Sequence, residues 1–320
     1  MNIETTDFQA SFGPTGNLVR LFFKPVSCDV FHWCGDEDEL LAHPQYYGVP
    51  LLFPPNRTEN GQFLFQGRTY RLPVNDPVNG FNVHGFLLDK RPASVVREGN
   101  DVTVRTVWDP ACPGFSGFPH TFEIVRIFRF GQAAVRMETE IVNHSHEAMP
   151  CGIGFHTAFA APEEEAVFIR VPHDGRYWRV DRARRLPDGT FDELTPETRA
   201  VLEGKAQVRS TALGALFSAP PEGARFAVVR RNADIVFSAD KNFPFFAVWN
   251  AEGRREMVCI EPMSWFTNAP NLPLLREQTG VRALPPGEKL RFVMSLEIFP
   301  GKDACKSGST NEKTYSSTKS

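Results

Sequence analysis

No two cysteines in this chain have the short spacing of a zinc site or a redox motif. The six stand singly, at positions 28, 34, 112, 151, 259 and 305. They make neither a metal-ligand pattern nor a dense disulfide framework, and read as reduced thiols. Long apolar runs are also missing. No stretch approaches membrane-spanning length, and the polar segment Met1 to Gln9 lacks the apolar centre of a signal peptide. The two Asn-x-Ser/Thr matches, Asn56-Arg57-Thr58 and Asn143-His144-Ser145, carry little meaning without a secretory route. Neither sign of charge dominates: a net −3 over 320 residues argues against nucleic acid as a main partner. Tandem repeats and an internal domain boundary are absent. What remains is a soluble cytoplasmic protein with neither membrane nor nucleic acid as partner.

What is abundant points to strands. Hydrophobic residues make up 42% and charged residues 23%, enough for a large core. Phe occurs 28 times, Pro 26 and Gly 24, a mixture that suits many short strands separated by turns. Asp101 to Trp108, Phe122 to Phe130 and Ala134 to Asn143 alternate apolar and polar residues, as antiparallel strands packed on a core do, although Arg126 interrupts its apolar face. Further strands are expected at Asn17 to Pro25, Val26 to Trp33, Phe226 to Arg230, Ile235 to Ser238, Phe245 to Trp249 and Leu290 to Phe299. Gly61 to Leu72 predicts a hairpin turning at Gln66-Gly67. The acidic run Asp36 to Glu39 reads as a solvated turn, and Tyr177 to Phe191 as a basic loop region. Thr195-Pro196-Glu197 opens the one convincing helix, with Gly204 as its stop. The expected fold is all-β, one large antiparallel β-sandwich domain over residues 1–300, followed by a disordered tail at 301–320 rich in Lys, Ser and Thr. Truncation after about Lys302 is expected to leave thermal stability and turnover unchanged, because the tail has almost no apolar surface to bury; a large loss of either would show that it docks on the body.

Four stretches set polar residues in apolar or proline-bounded surroundings. Met257 to Ile260 reads as a short buried strand that ends at Glu261, with Pro262 closing the pairing. A carboxylate there, against Trp265 and Phe266, can have its pKa raised by desolvation and act as a base. GVPLLFPP, from Gly48 to Pro55, is an extended approach that ends in Asn56-Arg57. His84 precedes a glycine in FNVHGF, where backbone can approach a ligand closely. His156 sits within MPCGIGFHTAFAAP. Taken singly, each histidine is more readily a hydrogen-bonded structural group than a catalytic one. His144 and His146 share a spacing but have no third metal ligand.

In the order GVPLLFPPNR, NVHGF, MPCGIGFH and CIEPM followed by NAPN, the chain resembles the aldose 1-epimerase (galactose mutarotase-like) family from about Gly48 to Pro300. The resemblance implies a β-sandwich with a sugar site on one concave sheet. It also implies Glu261 as general base, His156 as general acid, His84 as the second active-site histidine and Arg57 as a contact to sugar hydroxyls. The family's hydroxyl-binding aspartate would correspond to Asn242, with Asp240 two residues earlier. His84 is followed by Gly85-Phe86 where galactose mutarotases usually have two glycines.

The chemistry suits these residue types. Opening a hemiacetal requires one group to take the O1 proton and another to protonate the ring oxygen, and a carboxylate and an imidazole can exchange these roles near neutral pH. Neither metal nor organic cofactor is required. An aromatic floor for the sugar could come from Trp33, Trp249 or Trp265. The expected partner is a small-molecule aldohexose. Two rival readings stay open: a hexose-6-phosphate 1-epimerase with a phosphate clamp at Lys90 and Arg91, and a carbohydrate-binding or sensing homologue without turnover.

Overall fold

Strands of period two need a second layer to cover their apolar face, and here two large sheets supply it to each other. The structure is a computed structural model that describes residues 1–181 and 183–301. One eight-stranded sheet runs, from edge to edge, through Ser94–Glu98, Asp101–Trp108, Phe122–Phe130, Ala134–Asn143, Lys289–Pro300, Ala233–Asp240, Gly223–Val229 and Phe168–Arg170. The facing sheet runs through Pro187–Glu193, Arg176–Val180, Gly214–Ser218, Phe245–Trp249, Met257–Met263, Gly154–Phe155 and Leu51–Leu52, with Thr157–Ala160 also paired to Met257–Met263. All the named strand pairs are antiparallel. A four-stranded sheet of Asn2–Glu4, Phe8–Phe12, Leu18–Phe23 and Cys28–Asp29 packs beside them. The molecule is a large antiparallel β-sandwich.

Phenylalanine fills the space between the layers. Phe226 meets Phe246 at 5.0 Å and Phe237 meets Phe159 at 5.5 Å, each pair joining one sheet to the other. Arg126, the break in its strand's apolar pattern, is nonetheless buried. Its guanidinium donates to Asn17 Oδ1 at 2.5 Å and to Thr15 O at 3.3 Å, and burial pushes its pKa down to about 10.

Several local expectations need correction. The strand carrying Glu261 does not stop there but runs from Met257 to Met263. Pairing with Phe245–Trp249 continues past the proline (Phe246 opposite Pro262), whereas on the other side the register passes from Ile260 to Met263. The proline thus falls where that side has no ladder bond to lose. Asp36 to Glu39 is the start of a helix, Glu37–Ala42, because Asp36 caps it by accepting from the amides of Asp38 and Glu39 and the acids lie at its positive end. Tyr177 to Phe191 falls in a hairpin, Arg176–Val180 with Pro187–Glu193, in which Arg176 pairs with Asp174 and Arg179 with Asp188. Val26 to Trp33 contributes only the short strand Cys28–Asp29. The helix Pro196–Leu202 forms under its Thr195 cap, and the 62–71 hairpin turns at Gln66-Gly67. The expected tail falls, beyond Gly301, outside the described residues. Among the described residues no helix is long and apolar enough to cross a membrane.

His120 gives the fold a pH dependence. Its ring nitrogens meet Tyr70 Oη at 2.7 Å and Ser145 Oγ at 3.2 Å, and burial, helped by Arg68 and opposed by Glu147, pushes its pKa down to about 4. Above about pH 6.5 the group is neutral in both folded and unfolded chains and its contribution is complete. As pH falls toward about 4, the unfolded chain binds a proton that the folded site refuses, so stability is lost, on the order of 2–3 kcal/mol. Urea unfolding of His120→Gln is expected to show a flatter pH dependence than the parent over that window; identical slopes would remove His120 as the cause.

Candidate active site

Glu261 owes its orientation to strand parity. Val258 and Ile260 point into the main core, while Met257 and Cys259 belong to a separate apolar cluster with Ala158. Glu261 shares the parity of 257 and 259, so it stands on the sheet's outer face. Its cross-strand partner there is Ala247, too small to cover it. On the other side the strand pairing breaks at His156, whose amide donates instead to Pro50 O at 3.1 Å. The result is a close pair: His156 Nε2 lies 3.3 Å from Glu261 Oε1, both side chains almost fully buried.

His84 reaches the same place from a different element. It follows the short strand Phe81–Val83 and, like Gly85, has a left-handed backbone (φ 66° and 78°). Its amide donates to Asn56 O at 2.7 Å, and Asn82 Nδ2 closes the turn by donating to Gly85 O. The His84 ring meets His156 edge to face at 5.0 Å. Gly85 is required by the protein's own backbone, not by a ligand: a Cβ there would lie 1.9 Å from Phe53 O.

Arg57 opens the strand Arg57–Glu59, which pairs with Phe81–Val83. The NAPN loop clamps that strand. Asn268 donates its amide to Arg57 O at 2.8 Å and accepts from the amide of Glu59 at 3.0 Å. Arg57 and Glu261 sense each other electrostatically, and Asp76 and Arg185 also act on Arg57.

Burial governs the electrostatics. It pushes the Glu261 carboxyl above the usual carboxylate range, with His156 and Arg57 pulling it back. It pushes His84 well below the usual histidine range, and His156 and Arg57 add to that, so His84 is neutral at neutral pH. The Cys259 thiol is pushed well up by burial and by Glu261 and stays protonated. Three buried atoms in this cluster, Glu261 Oε2, His84 Nδ1 and His156 Nδ1, have no hydrogen-bond partner within the protein. Unsatisfied polar groups this deep carry a cost that a polar ligand would relieve. Among the described residues no group of three or more His, Cys, Asp or Glu is placed to hold a metal ion.

Of the three tryptophans considered for a floor, only Trp249 adjoins the pair, edge to face with His156 at 5.7 Å. Trp265 is buried in the core, and Trp33 packs with Val19, Leu40 and Tyr47. Asp240 and Asn242 are not brought to the cluster. Asp240 accepts from the amides of Asn242 and Val293, and Asn242 donates to Arg291 O, so both are spent on the strand Lys289–Pro300 of the sheet opposite Glu261. Tyr46 is the neighbour that sequence reasoning missed. It stacks on Trp249 at 5.9 Å, and the Arg255 guanidinium lies over its ring at 4.0 Å. No local pattern marks it, since both partners are distant in sequence.

A family model described as aldose 1-epimerase matches residues 21–297. A galactose mutarotase-like protein from Clostridium acetobutylicum superposes with a TM-score of 0.81 at 26% identity, over 93% of this chain and 94% of the other. The aldose epimerase homologue from C. elegans shares the fold at 15% identity, with a TM-score of 0.73 over 94% and 99% of the two chains. In sequence, the uncharacterized protein YphB of Escherichia coli K12 is 25% identical over 271 residues, 78% of this chain and 82% of that one.

Proposed function

The chain belongs to the aldose 1-epimerase family, and from that premise we propose that it interconverts the α and β anomers of a free aldose by acid–base opening of the ring. The Glu261 carboxylate takes the O1 proton, the C1–O5 bond breaks, and His156 delivers a proton to O5. The aldehyde turns its other face, and closure reverses the roles. One proton is taken and one given, so the pair's proton count is unchanged by each opening.

The observation that carries this reading is the 3.3 Å separation of His156 and Glu261. O1 and O5 are bonded to the same carbon, so the acid and base that serve them must be close neighbours. A raised carboxyl pKa supports the role of Glu261, because a base is most effective when its pKa approaches the working pH. The ascending limb of kcat/KM against pH is therefore expected above the ordinary carboxylate pKa of about 4.3. His84, neutral, would hydrogen-bond the sugar, Arg57 would donate to its hydroxyls, and Trp249 would face its C–H surface.

A free sugar is favoured over a phosphorylated one because Lys90, one of the two candidates (with Arg91) for a phosphate clamp, is turned to Cys112 and Trp108. Anomer exchange measured by NMR on a panel of free and phosphorylated aldoses tests the assignment. Acceleration on a free aldose is the expected result. Binding with no rate above the spontaneous one on any aldose would overturn it in favour of a carbohydrate-binding protein.

A further inference from the structure

Away from the dyad, a lysine and a cysteine are held together at the wall of a broad surface groove. The groove has a volume of ≈ 1260 Å³ and is lined by Gly85, Phe86, Lys90, Trp108 and Gly114, among others. Lys90 Nζ lies 3.1 Å from Cys112 Sγ and 5.7 Å from the centre of the Trp108 ring. Both backbones are pinned in turns: the Lys90 amide donates to Leu87 O and the Cys112 amide to Asp109 O. Cys112 is half-buried behind the groove, near enough to solvent for a small oxidant to reach. Cys34 differs, since it is exposed and its sulfur lies against Asp36 O.

We propose that Lys90 and Cys112 form an oxidative modification site, at which a peroxide closes a covalent N–S cross-link between the two side chains. In the first step the Cys112 thiolate attacks peroxide. An S–O bond forms, the O–O bond breaks, sulfur is oxidised by two electrons, and one water leaves. Sulfenic acids condense readily with a neighbouring nucleophile, and the neighbour held here is an amine. Lys90, after giving its extra proton to solvent, attacks the sulfur. The N–S bond forms, the S–O bond breaks, and the hydroxyl departs with a proton as a second water. One peroxide is consumed and two waters are released. An external thiol reverses the reaction by attacking sulfur and expelling the lysine amine.

Geometry selects this product over deeper oxidation. The amine already touches the sulfur, so the condensation is intramolecular and competes with a second peroxide at high effective concentration. The cross-link would close a loop around the hairpin Ser94–Glu98 and Asp101–Trp108, which forms one edge of its sheet. It would also fix the segment that leads away from His84.

The test uses the full chain, reduced and then treated with hydrogen peroxide, followed by tryptic digestion and mass spectrometry. The expected product joins the Lys90 and Cys112 peptides, weighs two hydrogens less than their sum, is uncut after Lys90 and disappears on thiol treatment. The intact cross-linked protein should melt at a higher temperature than the reduced form. In Lys90→Arg, the same treatment should leave Cys112 as a sulfenic or sulfinic acid with no joined peptide, as it does Cys34 in the parent. Wild-type protein in which Cys112 stays a thiol, or gives the same oxyacids as Lys90→Arg, would overturn the proposal. So would a joined peptide that survives Lys90→Arg.

Discussion

Glu261→Gln is expected to slow anomer exchange by about a hundred- to ten-thousand-fold, the usual contribution of a positioned acid–base group. Sugar affinity should change by no more than about tenfold. The amide can still hydrogen-bond O1 but cannot take its proton at neutral pH, and one such bond is worth only about 1 kcal/mol. His156→Asn should show the same split, since its amide can donate to the ring oxygen without transferring a proton. The two groups lie 3.3 Å apart and act in one opening step. Their effects should therefore not multiply: the double variant should be little slower than the slower single one. NMR exchange gives the rate and calorimetry the affinity. Near-normal turnover in Glu261→Gln would mean the base has been misassigned, and fully multiplicative losses would mean that the two groups act in separate steps.

Gly85→Ala is the second change with a large expected effect, and it acts through the backbone. A β-carbon would sit 1.9 Å from Phe53 O and 2.6 Å from Pro54 N, at a φ of +78° that L side chains rarely adopt. The hydrogen bond from the Phe86 amide to Phe53 O, at 3.0 Å, could not survive the displacement. Left-handed strain of about 1–2 kcal/mol, a lost buried bond and a backbone clash together predict a loss of about 3 kcal/mol or more. That is a large share of the roughly 5–15 kcal/mol that holds a folded domain. His84 stands one residue earlier, so protein that still folds should turn over slowly as well. Urea unfolding measures the first effect and exchange at a folded concentration the second. A variant as stable as the parent would show that the Phe53–Gly85 contact is not needed.

The sandwich was legible because alternation is a local property: Asp101–Trp108, Phe122–Phe130 and Ala134–Asn143 read from sequence with the bounds they have in the fold. The residues brought together were legible for another reason. Arg57, His84, His156 and Glu261 each stand near a proline or glycine in an apolar stretch, and the order of those four stretches carried the resemblance. Asp240 and Asn242 were assigned by the resemblance alone, as the positions matching the family's hydroxyl-binding aspartate just before Phe245–Trp249. Between Asp240 and Phe245 the chain crosses from one sheet to the other. The end of the Glu261 strand was misjudged because a proline costs pairing on one side only, and sequence does not say which side is needed. Tyr46 and Arg255 had no signal at all, their stack being made by side chains that meet only in the finished fold.

The position of Lys289–Pro300 constrains how the protein can be made. This strand lies between Ala134–Asn143 and Ala233–Asp240, pairing Lys289 with Val142 on one side and Pro300 with Ala233 on the other. On a ribosome the strand ending at Asn143 emerges first and must wait for its neighbour while most of the rest of the chain is synthesised. At about 5–20 residues per second that interval is on the order of ten seconds. Once Ala233–Asp240 has also emerged, two half-sheets present open edges with nothing native to bind. The sheet is joined only when the final strand slides between them, so a nascent chain released early would carry exposed edges and call on chaperones that its finished form does not need.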